Sequence, residues 1–83
     1  MYKVYILQSL KNGSYYTGYS EDVDRRLEMH NAGRVKATQY KRPYRLVYTK
    51  SFESETDARQ REWQIKSWKS RVAIEELVGR VPR

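Results

Sequence analysis

The chain contains no cysteine among its 83 residues. It therefore has no thiol to form a disulfide or a thiolate metal ligand, which is typical of a reducing compartment. No apolar stretch approaches the roughly 20 residues that a helix needs to cross a bilayer. The N-terminus also lacks the long apolar segment and small-residue cleavage site of a signal peptide. We therefore expect a complete cytoplasmic protein with no membrane partner.

The chain also lacks internal repeats and low-complexity segments. Its length is enough for one small domain with a modest hydrophobic core. Gly79 ends the last helical pattern, and Pro82 follows it three residues later. We expect a single domain at residues 1–79, a C-terminal tail at residues 80–83, and a monomer.

Acidic residues are scarce and unevenly placed. The chain has 17 Lys and Arg against 10 Asp and Glu, and its net charge of +7 favours polyanionic partners without specifying a fold. From Met29 to Phe52 there is no acidic residue. The basic side chains of this segment that we expect to contact nucleic acid are Arg34, Lys36, Lys41, Arg42 and Arg45. Such side chains neutralise phosphates, and the interleaved tyrosines could stack on unpaired bases. The alternative is a solvated loop that leads into an ordinary strand.

The pattern of apolar residues and turn signals predicts three strands and three helices. The elements in chain order are a strand at Tyr2–Leu10, a strand at Tyr15–Tyr19, a helix at Asp22–Asn31, an exposed loop at Arg34–Pro43, a strand at Tyr44–Phe52, a helix at Glu55–Lys69 and a final helix between Ser70 and Gly79. In the third strand, alternation places Leu46 and Tyr48 on one face and Val47 and Thr49 on the other. This β-β-α-β-α-α order predicts an α+β fold, a three-stranded antiparallel sheet flanked by helices.

The first two strands are predicted to form a tight hairpin. Asn12-Gly13 is typical of a two-residue type I′ turn, which needs positive φ at both central positions. With that turn, Leu7 would lie opposite Gly18. Side chains alternate along a strand, so Tyr5 and Tyr16 would share one face of the sheet. A three-residue loop would instead place the two tyrosines on opposite faces.

The first helix presents two pairs of residues at helical spacing. Val23 and Leu27 are four residues apart and should face the core. Arg26 and His30 are also four apart, on a stripe that borders the buried one. Ser20 is the predicted N-cap. The Arg and His side chains should therefore lie at the edge of the core.

The second helix carries one carboxylate beside its inward stripe. Ala58, Ile65 and Trp68 recur at helical spacing and should form that stripe. Glu62 lies four residues after Ala58 and three before Ile65. It either faces a polar cleft or is an exposed flank residue that pairs with Lys66.

Together these residues resemble the GIY-YIG nuclease domain. The resemblance extends from Tyr2 to about Val78 and is closest to the small stand-alone bacterial members. The half-motifs are Lys3-Val4-Tyr5 and Tyr16-Thr17-Gly18. The remaining matching positions are Arg26, His30 and Glu62. Because all five positions occur in order on the expected elements, the resemblance predicts the family's fold and an endonuclease activity.

The sequence departs from the family pattern at several positions. Lys3 replaces the first glycine, and Thr17 replaces the second-motif isoleucine. Tyr19 stands where the repair nucleases often have a lysine. A distal asparagine of some members has no obvious match, which bears on substrate positioning more than on chemistry.

The resemblance implies metal-dependent hydrolysis of DNA phosphodiester bonds. One ion, Mg²⁺ or Mn²⁺, would be held by Glu62, and Arg26 would stabilise charge on the phosphate. Tyr16 would be the general base. An ordinary tyrosine, with a pKa of about 10, is a poor base near neutrality and needs its phenolate stabilised. Tyr5 would hold Tyr16 or the attacking water, and His30 would orient a phosphate oxygen or relay a proton.

Three other functions stay open at this point. One is a catalytically weak or inactive nucleic-acid-binding module that uses the basic 34–50 segment. Another is a phosphodiester-cleaving domain that acts on RNA or needs a protein partner for targeting. A purely structural interaction domain is the third, and it predicts no salt-dependent binding to a polyanion.

Overall fold

A computed structural model describes residues 1–79. Its elements are β1 (Tyr2–Ser9), β2 (Tyr15–Ser20), α1 (Val23–Asn31), one turn of 3₁₀ helix (Gln39–Lys41), β3 (Tyr44–Phe52), α2 (Glu55–Ser67) and α3 (Arg71–Gly79). The predicted α+β architecture, a three-stranded antiparallel sheet flanked by helices in the order β-β-α-β-α-α, is confirmed. The predicted tail at residues 80–83 lies outside the described residues, and the single domain at 1–79 stays a prediction. No helix of the described part is both long and apolar enough to cross a membrane.

Strand β1 lies at the centre of the sheet, between β2 and β3. Its residues Val4–Leu7 are all at most 1% exposed, because helices cover both faces of the strand. On one face, Val4 and Ile6 pack in a cluster with residues of α2 and α3. On the other face, Tyr5 and Leu7 pack with residues of α1. We call these the α2 face and the α1 face of the sheet.

The register of the β1–β2 hairpin differs from the predicted one by two residues. Leu7 pairs with Tyr16, and Tyr5 pairs with Gly18. Since side chains alternate along a strand, a shift of two leaves every residue on its expected face. The prediction that Tyr5 and Tyr16 share a face is therefore confirmed, although the pairing used to derive it is wrong.

The shift arises because the turn is longer than Asn12-Gly13. The Ser9 N–H donates to the Ser14 carbonyl at 2.8 Å and closes a loop of residues 10–13. The Ser9 hydroxyl accepts two backbone N–H groups of that loop, at 3.1 and 3.2 Å. Gly13 takes a left-handed conformation, with φ of 77°. The side chain of Ser9 thus supplies hydrogen bonds that favour a wider loop than the type I′ turn.

Strand β3 contains a bulge opposite the middle of β1. Ile6 pairs with Tyr48 but Leu7 pairs with Leu46, which leaves Val47 as an extra residue. Leu46 packs with the α1-face cluster, whereas Val47 and Tyr48 both belong to the α2-face cluster. The prediction that Leu46 and Tyr48 share a face is therefore wrong. Strict alternation cannot anticipate an inserted residue.

Helix α1 begins and ends with well-formed caps. Its N-cap is Asp22, whose side chain accepts the N–H of Arg25 at 3.1 Å. The predicted cap, Ser20, instead accepts the N–H of Asp22 at 3.0 Å. The Asp22 carboxylate accepts an N–H three residues further on, in the first turn of the helix, and its negative charge suits the positive helix start. Gly33 follows the helix with φ of 80°, a conformation that favours glycine.

Candidate active site

A buried hydrogen bond joins β1 to the end of α1. The His30 ring is fully buried, and its Nε2 lies 2.9 Å from the hydroxyl oxygen of Tyr5. The other ring nitrogen, Nδ1, lies 2.7 Å from the hydroxyl oxygen of Thr38. His30 is the last-turn basic residue of α1, so the helix brings it directly over the tyrosine of the central strand.

Burial keeps both members of this pair uncharged near neutral pH, and the charge of Arg26 reinforces this for His30 only. Burial, and then the positive charge of Arg26, lower the pKa of His30 to about 4. Burial raises the pKa of Tyr5, and Arg26 opposes that rise through hydrogen bonding and through its charge. Arg26 itself is only partly buried, one helical turn before the histidine. The guanidinium therefore lies close to both groups and is still accessible from solvent.

Tyr16 contributes a second phenol to the same place. Its ring centroid lies 5.0 Å from that of His30. Gly18, the glycine of the second half-motif, pairs with Tyr5 and makes room for the Tyr5 ring. A Cβ added to Gly18 would lie 2.6 Å from the Tyr5 hydroxyl oxygen, far inside van der Waals contact. The absence of a side chain at Gly18 therefore lets the Tyr5 ring pack closely against β2.

Helix α2 brings the carboxylate of Glu62 to the edge of this group. Glu62 Oε2 lies 3.2 Å from Lys66 Nζ, and the Glu62 side chain is 17% exposed. The ammonium of Lys66 lies 5.4 Å from the centroid of the Tyr16 ring. After burial, Arg26 and Tyr16, the charge of Glu62 is a further influence on the pKa of Tyr5, which it raises. Glu62 pairs with Lys66, as the flank alternative expects, but its side chain is only 17% exposed and adjoins the polar group around Tyr16 and Lys66, which we call the cleft.

The structure thus brings the five sequence-predicted positions together around the edge strand β2. The His30 ring contacts the rings of both Tyr5 and Tyr16. Arg26 acts on these rings from α1, and Glu62 approaches them from α2 through Lys66. A buried neutral pair, two accessible cations and one carboxylate can together bind a phosphodiester and polarise a water molecule.

The donor set fits a Mg²⁺ ion that is held mainly by water and substrate. Residues 1–79 contain no group of three or more His, Asp or Glu side chains placed to hold a metal. Mg²⁺ commonly uses one or two carboxylates, several waters and substrate phosphates. A single half-buried carboxylate meets that need. Its present partner is the ammonium of Lys66, which such an ion would have to displace.

The predicted nucleic-acid contacts are all solvent-exposed but differ in their surroundings. Arg34, Lys36 and Lys41 extend from the segment that follows α1. Arg42 donates through Nε to the Gln39 carbonyl at 2.7 Å. Arg45, on β3, donates to the Gln8 side chain at 3.0 Å, on the opposite face of the sheet from Tyr5.

The interleaved tyrosines of the basic segment divide into two kinds. Tyr44 and Tyr48 are 5% and 4% exposed and belong to the core, as the ordinary-strand alternative predicts. Tyr40 is 79% exposed on the 3₁₀ turn. Of the three, Tyr40 alone presents a ring face to solvent that a base could stack on.

Two residues of the site were missed by sequence reasoning. Thr38 lies in a segment predicted to be an exposed loop, yet it is 1% exposed and contacts His30. Lys66 was expected only as an ion-pair partner, and its contact with Tyr16 was not predicted. A threonine in a loop carries no periodic signal. The Glu62–Lys66 spacing, by contrast, does mark the lysine as a neighbour of the site.

The fold and this group of side chains define the class of protein. A small α+β unit with paired tyrosines on adjacent strands, an Arg and a His on the next helix and a Glu on a later one is the arrangement of a GIY-YIG domain. The family model for the GIY-YIG catalytic domain matches residues 1–75. The chain belongs to this family.

Three similar proteins carry the family name UPF0213. A UPF0213 protein of Staphylococcus aureus strain Mu3 is 44% identical over 66 residues, which cover 78% of this chain and 79% of that protein. The UPF0213 protein SAV0488 of strain Mu50 matches to the same extent. The solution NMR structure of a UPF0213 protein from Bacillus halodurans is similar with a TM-score of 0.58 and 44% identity, covering 95% of this chain and 84% of that one.

Proposed function

We propose that this protein is an endonuclease that hydrolyses DNA phosphodiester bonds with one divalent ion, Mg²⁺ or Mn²⁺. The observation that carries the proposal is the convergence of Tyr5, Tyr16 and His30 beside the guanidinium of Arg26. These residues come from three different elements, and hydrophobic packing alone does not require that combination of groups. The family to which the chain belongs is defined by a catalytic domain.

Glu62 is the proposed metal ligand and the only carboxylate assigned to the site. The bound ion would offset negative charge on the phosphate and the leaving oxygen. Glu62 is held at the cleft by the fold of α2, between the buried Ala58 and Ile65. Its side chain is 17% exposed, so a water-coordinated ion has access to it.

Tyr16 is the proposed general base for the attacking water. A tyrosine becomes a useful base near neutral pH when cations stabilise its phenolate. The ammonium of Lys66 lies 5.4 Å from the centroid of the Tyr16 ring and is the cation proposed for this role. Arg26 would contact the phosphate through its planar fork, which matches two phosphate oxygens.

DNA is the proposed partner, and the basic segment after α1 is its proposed contact. Arg34, Lys36 and Lys41 are exposed and lie in the segment that also contains Thr38, a contact of the buried His30. A DNA backbone bound by these side chains would lie next to the cleft. Salt dependence of binding would measure these contacts, since each neutralised phosphate adds to the slope.

The ion pair between Glu62 and Lys66 favours a second candidate function. A carboxylate already neutralised by an ammonium at 3.2 Å binds a metal less readily than a free one. The second candidate is therefore a binding module that holds nucleic acid through the basic segment without cutting it.

The experiment that separates the two is cleavage of labelled DNA and RNA. Single-stranded, duplex, flap and junction DNA and matching RNA would be incubated with Mg²⁺, Mn²⁺ or EDTA. The variants are Glu62→Gln and Tyr16→Phe, with Glu75→Gln as the matched control. Glu75 forms the same kind of i,i+4 ion pair, at 3.3 Å with Arg71 on α3, away from the cleft.

The endonuclease proposal expects metal-dependent cleavage of DNA that is lost in Glu62→Gln and Tyr16→Phe but kept in Glu75→Gln. Salt-sensitive binding without cleavage, equal in all four proteins, would establish the binding module instead. Cleavage of RNA in preference to DNA would reassign the substrate while leaving the roles of Glu62 and Tyr16 intact.

A further inference from the structure

We propose that Thr38 is a positioning residue that fixes which nitrogen of His30 carries the proton. Through His30 it would direct the lone pairs of the Tyr5 oxygen into the cleft. This inference deepens the proposed function and rests on it for its catalytic consequence. Its structural part, the protonation of one ring nitrogen, stands independently of any activity.

The contact between Thr38 and His30 is closed to solvent. Thr38 is 1% exposed and His30 is fully buried. The Thr38 hydroxyl oxygen lies 2.7 Å from His30 Nδ1, and the Thr38 O–H donates to the Val35 carbonyl at 3.3 Å. At the other end of the ring, Nε2 lies 2.9 Å from the Tyr5 hydroxyl oxygen. Four groups from β1, α1 and the basic segment thus form one linear chain of hydrogen bonds.

Only one arrangement of the hydrogens satisfies the whole chain. With the proton on Nδ1, the hydroxyl of Tyr5 donates to Nε2, Nδ1–H donates to Thr38, and Thr38 donates to Val35. With the proton on Nε2, the Thr38 hydrogen must turn to Nδ1, and the Val35 carbonyl keeps only the Thr38 backbone N–H, at 3.1 Å. The Tyr5 hydrogen then loses His30 as its acceptor. An unmade hydrogen bond of a buried polar group is costly, so the first arrangement is favoured.

The direction of these bonds decides what Tyr5 offers to a substrate. Its hydrogen is committed to His30, so the oxygen presents only lone pairs to Arg26 and to the cleft. Tyr5 therefore accepts a hydrogen bond from the attacking water or from Arg26 and cannot donate one to the phosphate. In the opposite tautomer the Tyr5 hydroxyl would point its hydrogen into the cleft. The hydrogen bond made by one ring nitrogen of a histidine thus sets the role of the other.

The position of Thr38 also connects the cleft to the proposed DNA contact. Thr38 is the N-cap of the 3₁₀ turn that carries the exposed Tyr40 and Lys41. A shift of that turn on binding would move the acceptor of Nδ1–H directly.

The test uses the fact that the chain has a single histidine. Long-range ¹H–¹⁵N correlation spectra of the ¹⁵N-labelled protein report its tautomer without ambiguity. The variants are Thr38→Val, which keeps the shape and removes the hydroxyl, and Thr38→Ser, which keeps the hydroxyl. Thr38→Ala serves as a second removal, and circular dichroism verifies that each variant is folded.

We expect the Nδ1–H tautomer in the wild type and in Thr38→Ser, and a shift toward Nε2–H in the two variants without a hydroxyl. We expect kcat for DNA cleavage to fall by about tenfold in Thr38→Val with little change in KM, as for other partners that orient a functional histidine. Thr38→Ser should restore kcat.

An Nε2–H tautomer in the wild type would overturn the assignment, and so would a tautomer that is unchanged in folded Thr38→Val. A wild type that does not cut DNA would end the proposed function, while the spectra would still support or reject the role of Thr38.

Discussion

Lowering the pH should destabilise this protein through one buried imidazole. The pKa of His30 is held at about 4 in the folded protein, against 6.5 in the unfolded chain. The unfolded chain therefore takes up the proton first, and the stability present above pH 6.5 is lost as the pH falls toward 4. The full loss is about 3 kcal/mol, of which about 2 kcal/mol falls between pH 7.5 and pH 5.

The assay is urea unfolding followed by circular dichroism at a series of pH values in that range. His30→Gln is the matched variant, since it keeps a polar side chain and does not titrate. The free energy of unfolding of the wild type should fall by about 2 kcal/mol more than that of the variant, because the carboxylates are common to both. A direct reading comes from the imidazole proton resonances, which should stay in their neutral position down to about pH 5.

Parallel stability curves for the wild type and His30→Gln would refute this reasoning. So would an imidazole that titrates near its ordinary value, because a buried ring between two hydrogen-bond partners should resist protonation.

Three further substitutions test other parts of the structure. Gly18→Ala should displace the Tyr5 ring, whose hydroxyl oxygen lies 2.6 Å from the new Cβ, and should lower the free energy of unfolding by about 1–3 kcal/mol in urea titrations. Lys66→Met should free Glu62 and tighten Mn²⁺ binding measured by electron paramagnetic resonance, and Glu62→Gln in the same background should abolish the gain. Gly33→Ala, at φ of 80°, should lower the melting temperature, since the left-handed conformation costs a non-glycine residue about 1–2 kcal/mol.

The element order could be predicted from sequence because each element has its own hydrophobic period. The faces of the first two strands could be predicted because side chains alternate along a strand. The hairpin register was wrong by two residues, and that error preserves the side on which Tyr5 and Tyr16 lie. The bulge at Val47 was not predictable, since an inserted residue depends on how β3 meets β1 in three dimensions. Periodicity predicts which face a residue takes within a regular strand, and it cannot predict an irregularity that a contact between strands produces.

The candidate site shows the same division. Spacing on a helix predicted that Arg26 and His30 lie together, and the structure shows His30 buried with Arg26 beside it. The contact between His30 and Thr38 crosses a loop without periodicity, so no spacing rule could place it. The approach of Lys66 to Tyr16 depends on how α2 runs past the edge strand, which is likewise a tertiary property.

The separation of the sheet into an α1 face and an α2 face has a consequence for how such proteins diverge. Val4 and Ile6 pack against α2 and α3, whereas Tyr5 alone of the central residues reaches the candidate site. Changes to the α2-face core therefore affect the site through α2, which carries Glu62 and Lys66, and leave the contact between Tyr5 and His30 to the α1 face. Conversely, a descendant that exchanges Tyr5 or His30 for other residues keeps the larger core intact. A relative that has exchanged Tyr5 or His30 can therefore still fold around its α2-face core, and a folded relative is no guarantee of an active one.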